Sequence, residues 1–126
     1  MLKKVKQVKQ LFYGYDSPPP TLKILYNGDQ IAELKLENSR YTFRYLDAFY
    51  RLALQPLPGL DPDKDPPYEG KDLPLYFRER LPDMRRPDVK RLMEQFRIPE
   101  DKVLLLLATL GRHTVTDPFE FQLSAA

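Results

Sequence analysis

Apolar and polar positions alternate with a period of two through the first third of the chain. Leu22, Ile24 and Tyr26 form one run, Ala32, Leu34 and Leu36 a second, and Tyr41, Phe43 and Tyr45 a third. Asn27-Gly28 separates the first two and Asn38-Ser39 the next two. Asn-Gly supplies the positive φ angles of a two-residue hairpin turn, so the pattern predicts a three-stranded antiparallel meander. Residues 47–50 fit one helical turn with Asp47 as its cap. Leu52, Leu54 and Leu57 suggest another short strand, and Phe119, Phe121 and Leu123 a last one.

The period changes in the second half. Leu73, Tyr76, Phe77 and Leu81 share one helical face, with Asp72 as the expected cap, Pro74 in the first turn and Pro82 as the stop. After Pro87, the residues Val89, Leu92, Met93 and Phe96 follow helical spacing, with Lys90, Arg91, Glu94 and Arg97 opposite. A third helix is expected between Pro99 and Gly111; its run Val103–Leu107 is apolar nearly all round, which predicts burial. The fold class expected is α+β: a small antiparallel meander or sheet of four to six short strands with three packed helices.

Composition bounds this picture. The 126 residues make one ordinary domain. Proline is abundant, 13 against 5 glycines, and it falls at element boundaries. Pro18-Pro19-Pro20 reads as a stiff spacer, dividing a basic extension, 1–20, from the domain, 21–126. Residues 56–70 hold five prolines and most of an acidic block, Asp61, Asp63, Asp65, Glu69 and Asp72, and read as a loop. The absence of cysteine excludes disulfides and thiolate sites. It also favours a cytoplasmic setting, as does the lack of an apolar run of spanning length.

Candidate chemistry is sparse. No phosphate-binding glycine loop is present, and the one histidine, His113, sits just past a helix end as a cap rather than a base. Asp61, Asp63 and Asp65 resemble a calcium loop, but prolines stand at 62, 66 and 67 and no Gly or Glu falls at the required offsets, so no metal is expected. Arg78, Arg80, Arg85, Arg86, Lys90, Arg91 and Arg97 form a basic stretch interleaved with Glu79, Asp83, Asp88 and Glu94, the pattern of a salt-bridged solvent face. Lys3, Lys4, Lys6 and Lys9, with no acid among residues 1–10, are the candidate phosphate or nucleic-acid contacts. Tyr13, Tyr15, Tyr50 and Tyr68 fall outside core periodicity and suit interface anchors. The residues alone point to a binding module without cofactor rather than an enzyme.

The order of motifs resembles the N-terminal subdomain of HipA-type serine/threonine kinase toxins. The matching positions are Asn27, Gly28, Leu34, Phe43, Tyr45, Phe77, Leu81, Pro82, Asp83, Leu106, Leu107, Gly111 and Val115, across residues 21–123. Arg80 departs from the pattern, where Asn-Leu or a second Leu is common, and so does Thr116-Asp117-Pro118 in place of Gly-Ala. The 126 residues hold no kinase core; if they are the complete chain, the resemblance implies a stand-alone HipS-like small subunit of a split toxin–antitoxin system. Such a subunit is a cytoplasmic antitoxin that binds and inhibits a HipT- or HipA-like kinase, alongside a HipB-like DNA-binding protein. It makes the turn Leu81–Arg86 the expected partner contact, through Leu81, Asp83, Met84, Arg85 and Arg86, with Tyr68 of the acidic loop as a second contact. An aromatic plug is associated with this region in stand-alone small subunits; here Met84 or Arg85 occupies the turn. Two alternatives stay open: an assembly subdomain cut from a HipA-like kinase, and a small basic nucleic-acid-binding module. Neither membrane nor direct nucleic-acid contact is expected in the antitoxin case.

Overall fold

A computed structural model describes residues 20–99, 101–112, 114 and 117–124. Strands β1 (Thr21–Tyr26), β2 (Asp29–Glu37) and β3 (Arg40–Tyr45) form the expected meander. Both turns need left-handed backbone, and both have it: Asn27 and Gly28 lie at φ 49° and 87°, Asn38 and Ser39 at 54° and 62°. Helix α1 (Asp47–Arg51) follows, then strand β4 (Tyr68–Gly70), helices α2 (Leu75–Arg78), α3 (Pro87–Phe96) and α4 (Val103–Thr109), and strand β5 (Phe119–Leu123). The sheet order is β4-β3-β2-β1-β5, antiparallel throughout. The fold is α+β, with α1 the fourth helix beside the three expected from the second half.

Alternation fixes the register. Leu22 opposes Leu34 and Leu123, and Ile24 opposes Ala32 and Phe121, so one face carries the apolar set and is buried. Ile31 is an extra residue in β2, skipped where Ile24/Ala32 pairing passes to Leu25/Gln30. Phe43, Phe77 and Phe121 meet at the centre, with Phe77 5.8 Å from Phe43 and 5.4 Å from Phe121 between ring centroids. A second, smaller core holds Val89, Met93, Ile98 and Leu106. Helix α4 is the wall between the two cores: Leu104 and Leu107 face the first, Leu106 the second. Its all-round apolar sequence follows from that position.

Four expectations need correction. Residues 52–57 are not a strand; Ala53 takes a left-handed φ of 52°, and the sheet's fourth strand lies later, at Tyr68–Gly70 inside the proline-rich loop. The N-caps of α1 and α2 are Leu46 and Pro74, without side-chain bonds, so Asp47 and Asp72 do not cap. Helix α4 starts at Val103 rather than near Pro99. In α3, Val89 and Met93 are buried, but Leu92 and Phe96 are 38% and 52% exposed, so half of the apolar stripe faces outward. Among the described residues no helix is long and apolar enough to cross a membrane.

Candidate functional site

The chain between α2 and α3 makes a tight, charged turn from Leu81 to Arg86. Its ends are fixed from inside. Leu81 packs against both cores, and Met84 lies half-buried against the second. Pro87 is the first residue of α3, where its missing N–H costs nothing. Between these anchors Asp83 turns the backbone: its Oδ1 accepts the Arg85 amide at 2.9 Å. The same carboxylate takes a fork from the Arg85 guanidinium, at 3.1 and 3.2 Å. One step on, Arg86 forks onto Asp88 at 3.1 and 2.6 Å.

These pairings set the electrostatics. Hydrogen bonds from the Arg85 side chain and then its amide hold the Asp83 carboxyl below the usual carboxylate range. The Arg86 guanidinium does the same for Asp88. The Arg85 side chain remains 90% exposed, so it projects while its direction is held. The turn is thus a preorganised pair of forks on an apolar base, with Arg85 at the tip and Met84 turned in.

Tyr68, the other expected contact, sits elsewhere. It pairs with Phe43 in the sheet and donates to the Asp72 carbonyl at 2.5 Å, half-buried beside the first core. Its ring is chiefly a sheet element, and it is not brought together with the turn by any contact seen among the described residues. Lys3, Lys4, Lys6, Lys9 and His113 lie outside the described residues.

Sequence reasoning placed Arg80 on a solvated basic face, and the structure overturns this. Its side chain is only 7% exposed. The guanidinium donates to the carbonyls of Gly111, Arg112 and Phe119 at 3.1, 2.9 and 3.0 Å, and to the Tyr76 hydroxyl at 3.1 Å. Tyr76 in turn donates to Asp117 Oδ2 at 2.6 Å. Burial, then the bond to Asp117, pushes the Tyr76 hydroxyl far above the ordinary phenol range. Arg80 is the residue that ties α2 to β5, and its departure from the family pattern was the one signal that marked it. Of the rest of that basic stretch, Arg85 and Arg86 are paired, while Arg78, Lys90, Arg91 and Arg97 make no ion pair among the described residues.

Among the described residues no group of three or more His, Asp or Glu side chains converges as a metal site. The arrangement at the turn suits recognition of another surface, since it offers fixed charge on a rigid backbone and no acid–base pair facing a cavity. Compared with known protein families, residues 22–115 match the one described as HipA N-terminal domain. No curated protein matches the chain.

Proposed function

The chain belongs to the HipA N-terminal domain family, and on that premise we propose that it is a HipS-like antitoxin: a non-catalytic subunit that docks on a HipT- or HipA-like serine/threonine kinase and blocks it, in the cytoplasm of a bacterium. The family carries the toxin–antitoxin context. The observation that supports docking through the turn is the fixed projection of Arg85, held by Asp83 above an apolar base of Leu81 and Met84.

A guanidinium held this way suits a kinase site. Such sites gather acids for magnesium and for the substrate hydroxyl, and a preformed arginine can pair with them or fill the phosphate space. Little rotamer entropy is left to lose, because both forks exist before binding. A HipB-like DNA-binding protein completes the assembly in this reading, so the chain needs no nucleic-acid contact of its own.

The test is co-expression with a HipT-like kinase, reading growth and co-purification. Rescue of growth and a stable complex are expected, both lost in Arg85→Glu. Rescue that survives Arg85→Glu and Met84→Asp removes the turn from the contact, and the absence of any complex removes the antitoxin reading.

A further inference from the structure

Behind α2, on the side of the proline-rich loop, lies a cleft of about 260 Å³. Pro58, Leu60, Tyr68, Pro74, Leu75 and Glu79 line it. Leu75 stands at its lip and is 58% exposed, the most exposed large apolar side chain among the described residues. A four-residue helix gains nothing from such an exposed leucine, and an apolar lip beside a concave apolar wall is what interface pockets present.

The segment that supplies the lining of the cleft is net acidic. Residues 58–79 carry six acids, Asp61, Asp63, Asp65, Glu69, Asp72 and Glu79, against Lys64, Lys71 and Arg78. Arg44 neutralises Asp65 at 2.8 Å; the other five acids make no ion pair among the described residues. Glu79 lines the cleft itself. Asp61 follows the lining residue Leu60, and Asp72 is bonded through its carbonyl by the lining residue Tyr68. The walls are held rigid from below, because the buried Tyr45 hydroxyl fixes the Leu57 amide and the Leu60 carbonyl.

We infer that this cleft is a second docking surface, which takes a basic segment of a partner protein by burying one of its large apolar side chains against Leu75. Opposite charge around an apolar pocket selects such a segment and repels phosphate, which argues against a nucleic acid or an anionic membrane as the occupant. The inference holds whether or not the turn at Arg85 meets a kinase.

The probe is a synthetic amphipathic Leu/Lys peptide, with its Leu/Glu counterpart as control, titrated into the full chain by amide-resolved NMR. Shifts centred on Leu60, Leu75 and Glu79 are expected with the Leu/Lys peptide alone. Leu75→Ser weakens binding about tenfold through lost apolar burial. Glu79→Lys weakens it about two- to fivefold, as rim charges do. Leu92→Ser, at the exposed part of α3, leaves it unchanged. Preserved amide dispersion in each variant keeps folding apart from binding. Equal binding of both peptides, shifts spread away from the cleft, or no shifts at about 1 mM peptide overturns the inference. So does self-association of the free chain that Leu75→Ser abolishes, which assigns the cleft to a second copy.

Discussion

The guanidinium of Arg80 lies over the ring of Phe121, 4.1 Å from its centroid. The contact joins a residue just past α2 to the middle of β5, one of the two edge strands. An edge strand presents unpaired backbone groups on its outer side. Here Arg80 answers the Phe119 carbonyl, and the Arg112 carbonyl accepts the Phe121 amide at 3.2 Å. Arg80 and the Arg112 backbone therefore cover part of this edge together, and Arg80 also packs over Phe121 and links the end of α2 to the sheet immediately before the proposed docking turn.

Arg80→Ala should be the most costly single substitution on this side of the domain. It removes the cation whose Nη1 lies 3.6 Å from Asp117, leaving that carboxylate only the Tyr76 hydroxyl and the Phe119 amide, and it takes one donor from each of three carbonyls. Removing one partner from a buried pair costs about 3–5 kcal/mol. Arg80→Lys keeps the charge but not the fork, and should fall between the two. Urea unfolding measures both; a loss below about 1 kcal/mol for Arg80→Ala contradicts this role.

Gly111 depends on the same neighbourhood. A Cβ built there comes within 2.8 Å of the Arg80 carbonyl oxygen, a backbone atom that cannot swing away. Gly111→Ala should cost about 1–3 kcal/mol through forced displacement of α2. The nearby bond from Arg80 Nε to the Gly111 carbonyl, 3.1 Å long, should weaken with it. Combining Gly111→Ala with Arg80→Ala should therefore be less costly than the two single losses added, a coupling that a double-mutant cycle reads.

Tyr45 makes an alkaline prediction. Its hydroxyl accepts the Leu57 amide at 2.9 Å and donates to the Leu60 carbonyl at 2.6 Å. Burial pushes it up to about 12 from an ordinary 10.0. The folded state thus favours the neutral phenol. Its contribution is complete below pH 10 and is lost as pH rises from there through about 12. Tyr76 and Tyr41 are raised as well and act with the same sign. Tyr45→Phe should cost about 1–3 kcal/mol at neutral pH, because both backbone groups lose their partner. Its thermal midpoint should also fall less between pH 10 and 12 than that of the parent. Parallel melting curves over that range contradict the assignment.

The meander, its two turns and β5 were legible because each is a local pattern: alternation of period two, and residues that tolerate positive φ. Strand β4 was not, since three residues of which one is Gly carry no periodicity, and their pairing with Tyr41–Phe43 is made by backbone atoms. Leu57 suggested a strand by its apolar character, yet it is buried through a hydroxyl twelve residues earlier in the chain. Arg80 is the same lesson in charge. Flanked by Arg78, Glu79 and Leu81, it reads as a surface residue, and only carbonyls more than thirty positions away make it a buried one. The turn at Leu81–Arg86 was legible as a turn from its two prolines, whereas the inward set of Met84 depends on the second core.

Asp83 gives the last prediction, which separates order in the turn from stability of the domain. Its carboxylate holds the Arg85 amide and guanidinium, and those bonds depress its pKa. A depressed pKa means that the bonded form persists above the ordinary carboxylate range and is lost as pH falls through the lowered value. The Arg85 amide resonance should therefore move at a pH below that of an unpaired aspartate, while amides of the sheet stay still. Asp83→Ala should leave the urea midpoint unchanged, since the side chain is solvent-exposed and its bonds run only to Arg85 two residues on. Its effect belongs to docking: with Arg85 released, the side chain must be ordered on binding, which weakens association with a HipT-like kinase about two- to tenfold. Asp83→Asn, which keeps an acceptor for the amide but not the charge, should lie between. If Asp83→Ala lowers the unfolding midpoint and leaves kinase binding untouched, the turn is a structural corner and not a contact.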